Sequence, residues 1–368
     1  MSEVKLNRGG VNTSSTSEVS PSENDNLLLK ANSLEELIKT CPKNQMIGDN
    51  LIRAWAKINS DKYKKIVCSV SGGSDSDVML DICWRCDKDN KVEYVWFDTG
   101  LEYQATKDHL KYLEKKYDIV IKPYKAIKPI PISCREYGQP FISKNVSEMI
   151  SRLQRYDFQW EDEEFEVLLE KYCKWDDKKQ DWIGCKGALA WWCNVNQSIR
   201  FNINYNRFLK EFMIQNPPNF KISSKCCKYA KKDVLHKLVS TEGYDLNIFG
   251  VRRSEGGIRG TSYKNCFDEA DKYDNYRPLF WYVNDDKIDY ECNYGVTHSK
   301  CYTEYGLTRT GCSGCPFGRD FEEELKIIQE YEPKLYKAVN NIFGDSYEYT
   351  RKYKEFCKTK REEIKRED

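Results

Sequence analysis

No apolar run in the sequence approaches the roughly 20 residues that a membrane-spanning helix needs. The N-terminus has neither the basic start nor the apolar centre of a secretory signal peptide. An excess of charge is missing too: 59 basic and 58 acidic residues leave a net charge of +1. That balance gives no global footprint for nucleic acid or an anionic membrane. A local basic patch would still suffice for a nucleic-acid acceptor. These absences give the expectation of a cytoplasmic protein with no membrane partner. Two phosphate-binding signatures are also lacking, G-x-x-x-x-G-K-[ST] and G-x-G-x-x-G.

What is present is a chain of 368 residues, 40% hydrophobic and 13% aromatic. It is long enough for one large domain or two modest ones, with a sizeable core. It also holds sixteen cysteines. A disulfide scaffold belongs to short secreted chains. In a reducing compartment several of these thiols should be ligands, and the rest small buried apolar groups. Residues 1–28 are rich in Ser, Asn, Thr and Glu and are expected to be a disordered tail. Short amphipathic helices are expected at 33–40 and 46–59.

The stretch around which the chain is organised runs from Lys64 to Leu80. Ile66 to Val70 reads as a buried strand. Ser71-Gly72-Gly73-Ser74 is a turn, and from Asp75 onward Val78, Met79, Ile82 and Cys83 recur at helical spacing. Strand, glycine turn and helix N-terminus form a phosphate cradle: glycines admit close approach, while free N–H groups and the helix dipole hold negative charge. A second strand, 92–97, ends in Asp98-Thr99-Gly100, followed by a helix over 102–117 and a third strand at 119–121. Alternating strands and helices predict an α/β fold, a Rossmann-like parallel sheet with helices on both faces. Ligands of such sheets bind at the carboxyl ends of the strands, which puts Ser71–Ser76 and Asp98–Gly100 in one crevice.

Residues 124–145, rich in Pro, Lys and Gly, read as a loop. Helical pattern dominates 147–215, and an insertion is expected over about 147–240. Its Trp182, Trp191 and Trp192 read as core. Strand 246–249 leads to Arg252, Arg253 and Arg259, interleaved with glycines and suited to an anion. The nucleotide domain is expected over 29–320, and 321–368 as a charged helical segment.

Cys226-Cys227 and, far downstream, Cys312-Ser313-Gly314-Cys315 form the metal candidate. Four thiolates suit a tetrahedral zinc or a [4Fe–4S] cluster. Adjacent cysteines on a regular helix diverge by about 100°, so both ligate only in a distorted setting. Cys301 is an alternative ligand, whereas Cys185 and Cys193 read as core.

Ser71, Gly72, Gly73, Asp75 and Ser76 resemble the S-G-G-x-D-S pyrophosphate loop of the adenine nucleotide α-hydrolase, or PP-loop, superfamily. Ser74 stands where many members carry Lys. The Asp98-Thr99-Gly100 turn, and Cys-Cys followed by C-x-x-C, resemble the iron–sulfur branch of its phosphoadenylylsulfate (PAPS) reductase family. The resemblance implies ATP gripped by Ser71–Ser76. It implies Mg²⁺ with Asp75, catalytic roles for Asp75 and Asp98, and further nucleotide contacts from Thr99, Gly100 and the three arginines. It implies a [4Fe–4S] cluster on Cys226, Cys227, Cys312 and Cys315. The function implied is adenylylation of an acceptor for sulfur transfer, with sulfur from a donor protein or a small molecule and a nucleic acid among the candidate acceptors. The alternatives are a reductase of adenylylsulfate or its 3′-phosphate, and a non-catalytic nucleotide or redox sensor. Thiol-dependent reductases end in Glu-Cys-Gly-(Ile/Leu)-His. Cys357 here has neither the Gly nor the His, so it is not expected to be a nucleophile.

Overall fold

The computed structural model describes residues 28–256, 262–318 and 320–367. All of the expected N-terminal tail except Leu28 lies outside these, as does Arg259. The central sheet has six strands: β1 (Ile66–Ser69), β2 (Val92–Asp98), β3 (Ile121–Lys125), β6 (Leu246–Phe249), β7 (Phe267–Asp268) and β8 (Asp274–Tyr276). Its order is β3-β2-β1-β6-β8-β7, parallel except for the β7 edge. This is the mostly parallel α/β sheet that the sequence predicts. β1 lies at its centre, in register with Val92–Val95 on one side and Leu246–Phe249 on the other. The strands are short and apolar because both faces are covered. Ile66, Val67 and Cys68 have no exposure. The main core gathers Ile66, Val78, Ile82, Leu246 and Ile248 with Ile47 and Leu51 of the Gln45–Ile58 helix.

Three local expectations are corrected. β3 begins at Ile121, not Ile119. The preceding helix closes with Asp118 in the left-handed region and Ile119 N–H donating to the Glu114 carbonyl. The apolar run is thus split, and Val120 faces outward. The stretch 124–145 contains a helix, Ile130–Tyr137, with Pro131 in its first turn, where a missing N–H costs nothing. Within 147–215 an antiparallel hairpin, β4 (Cys173–Asp176) and β5 (Asp181–Gly184), interrupts the helices. Trp175 and Trp182 pair edge to face across it, 5.6 Å between ring centres.

A second core holds Trp191, Trp192, Leu189 and Phe212, with Cys185 buried and Cys193 partly so, in the region of the expected insertion. Trp182 is only partly buried against it. A third gathers Cys134, Cys226, Phe321, Val339, Phe343 and Tyr347. The 35-residue helix Pro333–Glu367 contributes to both of these cores. No described helix is long and apolar enough to cross a membrane.

Candidate functional site

β1 runs into the Ser71–Gly73 turn and the helix Ser74–Cys86, whose N-cap is Gly73. Gly72 has φ +66°, and a Cβ on it would stand 2.8 Å from Thr106 Cγ2, so a side chain is excluded twice over. Ser71 N–H donates to Ser76 Oγ at 2.8 Å, which closes the turn from within. Ser74 N–H donates to the Tyr302 hydroxyl at 3.2 Å, as does Thr310 N–H at 3.1 Å. Segment 299–310 therefore lies over the loop.

Charge converges on the same turn. Arg252 Nε donates to both Asp75 oxygens at 3.0 Å, and Lys287 Nζ lies 3.6 Å from Asp75 and donates to Ser74 Oγ at 3.0 Å. Burial works to raise the Asp75 carboxyl, but hydrogen bonds with Glu255 and Arg252 and the charge of Lys287 hold it below its ordinary value. Arg252 and Lys287 together bring two cations to a helix N-terminus, where an anion is already favoured. Arg253 goes elsewhere. It is exposed, and its guanidinium lies 5.7 Å from the Trp281 ring. The strand-end arginines thus divide, one entering the crevice and one leaving it.

Behind the loop lies a relay that the sequence reading missed. His298 Nδ1 lies 2.9 Å from a carboxylate oxygen of the fully buried Asp77, and His298 Nε2 lies 2.8 Å from Glu291, each carboxylate accepting. Lys287 pairs with Glu291 at 3.0 Å. His109 Nε2 is 3.1 Å from the same Asp77 oxygen, though not in hydrogen-bonding alignment. Burial alone would lower the His298 value, but Asp77 and Glu291 push it up to about 9.

β2 ends in the Asp98-Thr99-Gly100 turn. Asp98 Oδ1 accepts from Gly100 N–H at 2.9 Å. Glu102 accepts from Thr99 N–H at 3.0 Å and from the Thr99 hydroxyl. That hydroxyl also lies 3.8 Å from Cys312 Sγ, so the turn touches the cysteine region directly. Burial, opposed by the Thr99 bonds and aided by Asp98, raises the Glu102 carboxyl.

The two cysteine pairs come together. Cys226 and Cys227 occupy the one-turn helix Lys225–Cys227, which passes into a π-turn at Lys228–Lys232. They interact with each other, and Cys227 with Cys312 and Cys315. Burial pushes the Cys312 and Cys315 thiols up, while Lys231 opposes the shift at Cys312. Cys226, Cys227, Cys312 and Cys315 are four soft donors with Lys144 and Lys231 nearby, the donor chemistry that an iron–sulfur cluster takes. Among the described residues no three His, Cys, Asp or Glu side chains are grouped to hold a single metal ion. Cys301 is absent from this gathering. It is buried beside Thr106, Tyr103 and Ile328. A fifth thiol, Cys134, is present instead, packed with Cys226 in the third core. Cys357 sits on the C-terminal helix with its thiol donating to the Arg207 carbonyl at 3.6 Å.

Residues 65–159 match the phosphoadenosine phosphosulfate reductase domain family. The matched range contains the Ser71–Ser76 turn, Asp98-Thr99-Gly100 and Cys134, and ends before the hairpin and both cysteine pairs. No curated protein matches the chain. Two solved structures are similar over most of its length. A PAPS reductase from Candida auris, in a phosphate complex, is 12% identical, covering 81% of this chain and 98% of its own, with a TM-score of 0.37. The U34-tRNA thiolase NcsA from Methanococcus maripaludis, with its [4Fe-4S] cluster, is 12% identical, covering 85% of this chain and 79% of its own, with a TM-score of 0.33. Likenesses of that size carry no argument about chemistry, which has to come from the residues.

Proposed function

We propose that the chain is an ATP-dependent sulfur-transfer enzyme of the PAPS reductase family that carries a [4Fe–4S] cluster. The observation that supports this most is the Thr99 hydroxyl, which joins the turn at the end of β2 to Cys312. Nucleotide crevice and cysteine set therefore share a wall. The pyrophosphate of ATP lies on the Ser71–Ser76 turn, against N–H groups of the helix start and the cations Arg252 and Lys287. An acceptor oxygen attacks the α-phosphorus, the bond to the bridging oxygen breaks, and pyrophosphate leaves. A sulfur nucleophile then displaces AMP from the acceptor. Asp75 and Asp98 would hold Mg²⁺, which when bound would offset phosphate charge. Cys226, Cys227, Cys312 and Cys315 would hold the cluster, which when bound would supply an iron site for sulfur. Arg252 binds and orients phosphate, and Lys287 stabilises charge at the turn.

Anaerobic purification with iron and sulfide analysis, followed by an isotope exchange assay between pyrophosphate and ATP, tests the reading. Iron with sulfide and measurable exchange are expected. Sulfite release from adenylylsulfate without ATP turnover would make the chain a reductase. One zinc and no sulfide would remove the cluster. Nucleotide binding with no turnover of either kind would leave a sensor.

A further inference from the structure

The stretch Ser71 to Asp77 contains two aspartates and no basic side chain. A phosphate seated on it meets the Asp75 carboxylate, so cations have to reach it from elsewhere in the chain. Arg252 arrives from just beyond β6. Lys287 arrives from the helix Asn284–Tyr294, which packs on the helix Ser74–Cys86, and Glu291 lies one turn further along the same helix.

A lysine ammonium is a point charge on a flexible four-carbon stem, so its place is set by what else it touches. Lys287 is held tightly. Its side chain is 14% exposed, and Nζ meets Ser74 Oγ and Glu291 Oε1 at 3.0 Å each. Glu291 on its own would fix the ammonium but also offset its charge. The same Oε1, however, accepts from His298 Nε2 at 2.8 Å, and His298 Nδ1 donates to Asp77 at 2.9 Å. Asp77 and Glu291 keep a proton on that ring. Charge therefore alternates along the row Asp77, His298, Glu291, Lys287. The Glu291 charge is shared between two cations, and Lys287 keeps part of its own for an anion. His109 also reaches the Asp77 oxygen, at 3.1 Å, but out of hydrogen-bonding alignment.

We infer that Glu291 and His298 are positioning residues, which hold the Lys287 ammonium against Ser74 so that it supplies the base that the phosphate turn itself lacks. The inference rests on the phosphate-binding part of the reading above and needs neither the cluster nor sulfur transfer.

Calorimetric titration of the full chain with inorganic pyrophosphate tests it. Lys287→Met should weaken binding about tenfold or more, and Lys287→Arg much less. Adding Ser74→Lys to Lys287→Met returns an ammonium to the turn and should recover most of the lost affinity. His298→Gln and Glu291→Gln should each weaken binding about three- to tenfold when Lys287 is present, and less than about twofold in the Lys287→Met background, where there is no ammonium to place. A residue that merely braced the fold would cost the same in both backgrounds, and equal losses would overturn the positioning role. No recovery in a folded Ser74→Lys, Lys287→Met protein would overturn Ser74 as the place where the charge acts. Unchanged affinity in Lys287→Met, with the wild type binding, would overturn Lys287 as the phosphate cation and leave the phosphate turn standing. No binding by the wild type would overturn both. Circular dichroism of each variant separates misfolding from loss of the site, and the near-isosteric Glu291→Gln keeps the comparison available where His298→Gln does not fold.

Discussion

At the scale of residues, the phosphate turn was legible because its parts are contiguous. Ser71 to Ser76 link a strand to a helix, and spacing alone shows that strand–turn–helix. The residues that complete it were not legible. Lys287, His298 and Tyr302 stand more than 200 positions from the turn, and only the crossover into β6 and beyond brings them back. His298 makes the completion measurable. Its partners are Asp77 and Glu291, with Lys287 beyond Glu291, and they raise its value from 6.5 to about 9. A raised value means that the folded state binds the proton more tightly than the unfolded chain. The stabilisation is therefore complete below about 6.5 and is lost as pH rises through about 9, on the order of 2 kcal/mol. Urea unfolding between pH 6 and 10 should show that decline in the wild type and a much flatter profile in His298→Gln. An equal decline in both would remove His298 from the account. Gly72 belongs at this scale too. Gly72→Ala should destabilise the protein by about 1–3 kcal/mol and weaken phosphate binding, because φ +66° and the contact with Thr106 both oppose a Cβ. Calorimetric titration with pyrophosphate checks the second effect.

At the scale of elements, strands with strong apolar character were read correctly, and those that depend on partners were not. β1 and β6 are continuous runs buried on both faces, so pattern and structure agree. β3 is Ile121-Lys122-Pro123-Tyr124-Lys125, with little to mark it as a strand. It exists because β2 offers an edge from Tyr94 to Asp98. The hairpin β4–β5 hides inside a helical background because its signal is a cross-strand tryptophan pair, Trp175 and Trp182, whose spacing also fits one face of a helix. The short helix at Lys300–Thr303 is another such element, and it supports a prediction. It holds Tyr302 so that the hydroxyl takes up Ser74 N–H, one of the donors that a phosphate would need. Tyr302→Phe frees that donor. Inorganic pyrophosphate should bind more tightly by about 1 kcal/mol, roughly fivefold. Weaker binding in the variant would mean that the hydroxyl itself grips the anion.

At the scale of the whole molecule, the sequence indicated a cysteine group but not what would brace it. The brace is the helix Pro333–Glu367. Through Val339, Phe343 and Tyr347 it packs into the core that contains Cys134 and Cys226, and through Tyr349, Tyr353 and Phe356 into the tryptophan-rich core. Tyr347 donates its hydroxyl to the Gly314 carbonyl, inside the C-x-x-C turn itself. Gly314 has φ +61°, and a Cβ there would stand 2.7 Å from that hydroxyl, so turn and helix meet without space between them. The segment after 321 read only as charged and helical because its surface residues outnumber its buried ones. Its function in the fold is carried by a few aromatics at helical spacing. Phe343 is 1% exposed, and Phe343→Ala should cost about 3–5 kcal/mol by leaving a cavity in that core. If the helix positions Cys312 and Cys315, the same variant should also incorporate less iron when reconstituted at a temperature where circular dichroism shows it folded. Tyr347→Phe provides the finer measurement. It removes one hydrogen bond, costs about 1 kcal/mol, and leaves the ring stacked on Phe321 at 5.2 Å. Reduced iron content with a nearly unchanged melting temperature in Tyr347→Phe would assign the helix a positioning role. Full iron content in both variants would show that the cysteine turn holds its shape without the helix.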